Sequence, residues 1–167
     1  MKKTFYILGA LLFITTALGI SYYYYVFNDH GKSQKKSVAL AKEQFNITEV
    51  NEIEHYNGSH GAFDVIRAKI DKEDSYVFIP LSKENEAKVI KAEDGWNVQK
   101  VKQYIQQELD LDNLISIRLG LERYRETSPF TPVWEIVYKK GATRYTFHYI
   151  RYSDGTFFKT YTMNQRL

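Results

Sequence analysis

The chain has 167 residues and no cysteine, with 23 lysines and arginines against 20 aspartates and glutamates, a formal charge of +3 at pH 7. The missing cysteine excludes a disulfide framework, a thiolate metal site, a cysteine nucleophile and a lipidated cysteine. A hydrophobic share of 44% with 26% charged residues is globular composition, and a balance this close to neutral excludes the clustered basic surface of a nucleic-acid binder.

Met1, Lys2 and Lys3 open the chain, and Thr4 to Phe27 follow without a charged residue. As a helix this run spans about 36 Å, enough for the roughly 30 Å hydrocarbon core of a bilayer. The two lysines place residues 1–3 in the cytoplasm, and the rings of Tyr22, Tyr23, Tyr24 and Tyr25 suit the far membrane-water interface. Ala17 and Gly19 also form the small-x-small pair that a signal peptidase needs. The apolar run continues past that pair, which favours a transmembrane helix over residues 4–27. A link from Asn28 to Lys32 follows.

Beyond the anchor the chain reads as a repeat of one unit, residues 28–95 and residues 96–167. The first carries 10 basic and 13 acidic side chains and the second 11 and 7, so the halves have opposite net charge. Each begins with a one-sided helix. Val38, Ala41 and Phe45 share a face in the first, and Val98, Val101, Ile105 and Leu109 share one in the second. Strand patterns come next: "EVNEIEHY" before an Asn57-Gly58 turn, "AFDVIRAKI", "SYVFIPL" and "AKVIKA" in the first half, and "ISIRLGLERY", "PVWEIVYKK", "RYTFHYI" and "TFFKTYTM" in the second. Ser153, Asp154 and Gly155 mark the last hairpin. The expected fold is α+β, two tandem modules of one helix on a three- or four-stranded antiparallel sheet. A half of about 65 residues is marginal alone, so the two should pack tightly, with Trp96 sealing the joint.

Chemical motifs are sparse. Ser33 and Lys36 have S-x-x-K spacing without the companion motifs of the penicillin-interacting serine enzymes. His55, His60 and Asp64 could form a metal set, though polar loop residues are the simpler reading. Asp110 and Asp112 begin a calcium-loop pattern that Leu114 and Ile115 abandon. Glu52 and Glu54 point to one side of a strand, as an exposed edge also explains. The loop Ser128 to Pro132 frames Phe130 between prolines and reads as a rigid turn. The pattern indicates a non-catalytic interaction module without cofactor or metal.

"YVFIPLSKENEAKVIKAEDG" and "VWEIVYKKGATRYTFHYIRYSDGTFFKTY", set behind an N-terminal anchor, resemble the TseB/YpmB family of Gram-positive bacteria, whose ectodomain is a tandem of PepSY-like (cystatin-like) modules. The Tyr76 to Pro80 and Trp134 to Tyr138 segments carry the likeness best, and the "RYRETSPFTPV" loop departs from it. The resemblance implies a single-pass membrane protein with an extracytoplasmic C-terminal domain, which regulates peptidoglycan elongation by binding a penicillin-binding protein. It implies no catalytic residues. PepSY-like modules also occur in propeptides, so protease inhibition is the alternative, and wall-polymer binding through aromatic surface a third. A contact surface is available on the polar face of the "RYTFHYI" strand, Arg144, Thr146 and His148, if Tyr145, Phe147 and Tyr149 point inward.

Overall fold

A computed structural model describes residues 2–82, 85–109, 113–141 and 143–164, with the backbone alone for residues 2–11 and 24–30. The chain divides into two compact units, Met1–Ala39 and Leu40–Leu167.

Helix α1 runs without a break from Lys2 to Gln44, 43 residues. The expected link from Asn28 to Lys32 is therefore helix. Nothing there stops it, since no proline intervenes. From Leu12 to Tyr23 every side chain is exposed. Among the described residues no helix is long and apolar enough to cross a membrane.

The second unit holds two antiparallel four-stranded sheets, each a simple meander. The first contains β1 (Ile47–Gly58), β2 (Gly61–Ile70), β3 (Glu73–Pro80) and β4 (Lys88–Lys91). A 3-10 turn at Ala92–Asp94 leads to helix α2 (Val98–Tyr104), which widens into a π-helical turn over Ile105–Leu109. Asn97 caps α2, its side chain accepting from the Lys100 N–H at 3.0 Å. The second sheet contains β5 (Leu114–Glu122), β6 (Thr131–Lys140), β7 (Arg144–Arg151) and β8 (Phe157–Asn164).

The repeat is real down to its burial pattern. β3 and β7 bury and expose the same positions over their first seven residues. The turns differ. The first hairpin turns at Ser59-His60, two residues beyond Asn57-Gly58, because Gly58 still pairs with Gly61. The second uses Asp71 and Lys72, both at positive φ, as a two-residue turn between Ile70 and Glu73. Ser153 to Gly155 turn as expected, with Gly155 at φ +72° and its Cα against the Trp96 ring, where no side chain would fit.

One core serves both sheets. Phe63, Val65 and Phe78 of the first sheet belong to the same buried cluster as Leu119, Leu121, Trp134, Ile136 and Ile150 of the second, with Val101 and Ile105 from α2. Rings bridge the seam edge to face: Phe63 on Phe130 at 5.3 Å and Tyr76 on Tyr152 at 6.0 Å. The opposite face of the first sheet buries Ile66, Ala68, Val77 and Ile79, and Leu40 and Gln44 at the end of α1 lie beside Ile79.

Candidate functional site at the junction of the two sheets

A cluster of polar side chains gathers where β1 lies against β5. Gly120 on β5 has no side chain, and the Tyr56 ring occupies the space a Cβ would need. This close approach carries the Tyr56 hydroxyl to Glu122, to which it donates at 2.9 Å. The Ser59 N–H donates to the same oxygen at 2.8 Å, while Ser59 Oγ donates to the other at 2.9 Å. His60 Nδ1 lies 3.2 Å from that second oxygen, and Lys159 Nζ on β8 donates to it at 2.7 Å. Glu122 is fully buried. Burial by itself pushes its carboxyl up, and the hydrogen bonds from Lys159, Ser59 and His60 outweigh this and hold its pKa below the usual carboxylate value. Burial, then the nearby Glu122 charge, pushes the Tyr56 hydroxyl far up.

Lys159 Nζ also donates to Ser59 Oγ at 2.8 Å, so a hydroxyl and an amine meet as they do in Ser-Lys nucleophile pairs. The chemistry does not follow. Lys159 Nζ is one half of an ion pair with the buried Glu122 carboxylate at 2.7 Å, and Ser59 Oγ donates to that same carboxylate, so both groups are engaged by Glu122. The arrangement acts as a clasp, tying the β1-β2 turn to the second sheet.

A second carboxylate, Glu135 on β6, is buried beneath Tyr149, whose hydroxyl donates to it at 2.8 Å and lies 3.2 Å from the Tyr161 hydroxyl. Burial raises the Glu135 pKa, and the Tyr149 bond lowers it only in part. A small cavity of about 180 Å³ opens between the sheets, with Glu52 and Glu54 above Val65, Leu119 and Trp134. Small-molecule pockets run from about 300 Å³ upward, so this is an imperfect seam rather than a ligand site. Burial and the neighbouring Glu52 charge raise the Glu54 pKa there.

The expected contact residues do not share an exposed face. Arg144 is exposed, whereas Thr146 and His148 are 5% and 9% exposed. His148 Nε2 lies 3.1 Å from the Tyr104 hydroxyl of α2, with the two rings stacked at 6.1 Å. Tyr145 and Phe147 are half-buried on the other face, where Phe147 stacks on Tyr161 at 4.7 Å. Only Tyr149 is buried as its aromatic character suggested. Parity was readable and polarity was not: Thr146 and His148 share the face of Ile150, and a hydroxyl on α2 lets that face accept an imidazole. Burial keeps the His148 pKa below its ordinary value.

The other candidates separate. His55 pairs with Asp64 at 3.1 Å, and His60 turns to Glu122 instead of joining them. Among the described residues no three His, Cys, Asp or Glu side chains are grouped to hold a metal ion. Phe130 is folded inward onto Phe63, with the Arg123 guanidinium 4.9 Å from its ring centre and its carbonyl accepting from Lys88 Nζ at 3.0 Å. Trp96 accepts at its carbonyl from Trp134 Nε1 at 2.8 Å, so it braces the second module. Tyr22 and Tyr23 are exposed at 72% and 57%. The side chains of Tyr24 and Tyr25, with Asp110 and Asp112, lie outside the described residues. Glu122 and Lys159 had no signature in the sequence, since their partners stand 63 and 100 residues away.

No protein-family model matches the chain, and no curated protein matches it. Among solved structures it is similar to the YpmB protein from Bacillus subtilis, with a TM-score of 0.64 and 21% identity over 77% of this chain and 96% of that one. At that identity the likeness shows the architecture alone: the chain has a YpmB-like fold.

Proposed function

We propose that the protein is a membrane-anchored, non-catalytic regulator of peptidoglycan elongation that acts by binding a penicillin-binding protein outside the cell. The observation that carries the anchor is the stretch Leu12 to Tyr23, a helix exposed on every side with Leu12, Phe13, Ile14, Leu18 and Ile20 all more than half exposed. An uncharged apolar surface of this extent needs a lipid or protein environment, and the uncharged sequence from Thr4 to Phe27 is long enough for a bilayer. The non-catalytic part rests on the clasp, where the closest polar groups are consumed in holding the sheets together. The YpmB-like fold and the resemblance of the two quoted segments supply the partner class. Anchoring confines the body to the membrane surface, where weak contacts with another membrane protein suffice. Arg144, exposed at the start of β7, is the one residue of the expected contact set free to take part.

The test is to crosslink intact membranes carrying a tagged full-length chain, purify it, and label co-purifying proteins with fluorescent penicillin. A labelled band absent from an untagged control is expected, weakened by Arg144→Glu. Efficient recovery of the chain without any labelled band overturns the proposed partner.

A further inference from the structure

Of the four sheet edges, three are managed. β4 is four residues long and carries Lys88 and Lys91, a short, charged edge that resists pairing. β1 and β5 lie against each other at the junction. β8 is different. It is the outer strand of the second sheet, eight residues long, and no described strand pairs with its far side.

Its sequence, FFKTYTMN, has one charge. That charge is turned inward: Lys159 Nζ donates to Glu122 and Ser59, and its side chain is 18% exposed. The clasp thus removes the lysine that would otherwise guard this edge. Phe157, Tyr161 and Met163 remain 58%, 37% and 56% exposed. A register shift opposite Tyr149 and Ile150 disturbs the start of the strand, while Lys159 to Asn164 pair regularly with β7.

We propose that this edge pairs antiparallel with β8 of a second copy, joining two second-module sheets across a two-fold axis. Charge selects the occupant. Among the described residues this edge presents no free charge and so favours an equally neutral strand, and β8 itself is such a strand. Antiparallel self-pairing sets threonine and aromatic side chains across from one another, which are favourable cross-strand neighbours. Lys159 meets its own copy in a single register only. The contact is isologous and closes at two copies, so it does not lead to fibres.

The absence of cysteine makes the test direct. Thr160→Cys and Thr162→Cys in the full-length chain, and Lys88→Cys as a control on the β4 edge, are oxidised in intact membranes and separated by mass. Dimers from the β8 cysteines, at about tenfold the level given by the control, are expected. Adding Met163→Lys, at an exposed position, should reduce the Thr160→Cys dimer about tenfold without moving the melting temperature. If that variant melts early, Phe157→Lys serves in its place. Equal crosslinking from both edges overturns the proposal, as does a dimer that survives the added lysines. A crosslinked product of another mass does the same, because it shows a foreign strand on β8.

Discussion

Replacing Glu122 with glutamine preserves the side chain's size and removes its charge, leaving the Lys159 ammonium against a neutral amide. Breaking a buried pair in this way costs about 3 kcal/mol, against a total of roughly 5 to 15 kcal/mol for a domain. The urea midpoint of Glu122→Gln should fall accordingly, and a midpoint within error of the parent would show that the clasp is not holding the sheets. Acid acts on the same group. Because its folded pKa is depressed, its contribution is complete above 4.5 and is lost as pH falls below that value. His148 responds earlier. Its folded pKa lies below 6.5, so the unfolded chain takes up a proton first and stability declines as pH drops through that value. Glu135 works in the opposite sense: its raised pKa means that the folded state keeps a proton longer, and its contribution fades as pH rises. His148 should lower the midpoint as pH falls through about 6.5, and His148→Gln should remove that part of the slope. An unchanged slope in the variant would assign the loss to another group.

Within an element, the most exposed dependence is that of β5 on a missing side chain. A methyl group at Gly120 would lie 2.3 Å from the Tyr56 ring, which is buried and tied by its hydroxyl to Glu122. Gly120→Ala should cost about 2 to 3 kcal/mol through overpacking, measured by thermal or urea unfolding. Near-parent stability would mean that β1 and β5 separate easily. The strands themselves were legible. Apolar, β-branched and aromatic segments between turn signals mark the eight strands, with alternation in "AFDVIRAKI" and "PVWEIVYKK", although β6 proves buried on both faces from Val133 to Val137. What covers each face is a tertiary fact, and there reading failed. Turning Tyr145, Phe147 and Tyr149 inward sets His148 outward, yet α2 brings the Tyr104 hydroxyl to it on the buried face. Asn57-Gly58 favours a turn as a dipeptide, yet Glu122 draws Ser59 and His60 into that role from 62 and more residues away.

Across the molecule, the two modules share their core, so a cavity in one should be felt in both. Phe63 is fully buried on the first sheet and meets Phe130 from the second half. Phe63→Ala should cost about 3 to 5 kcal/mol. Both tryptophans, Trp96 and Trp134, belong to the second half, so their fluorescence follows that half while far-UV circular dichroism follows both. The two signals should shift together in the variant as one transition. A fluorescence transition left in place would show two independent domains. The clasp also orders events in time. Ser59 emerges from the ribosome 100 residues before Lys159, an interval of about 5 to 20 s at ordinary rates of synthesis. From the emergence of β4 until β5 and β6 follow, the first sheet has all four of its strands and none of the second sheet that covers Phe63, Val65 and Phe78. The nascent chain must stay out of aggregates while half built, and a stall or truncation before β5 leaves it in that state for good.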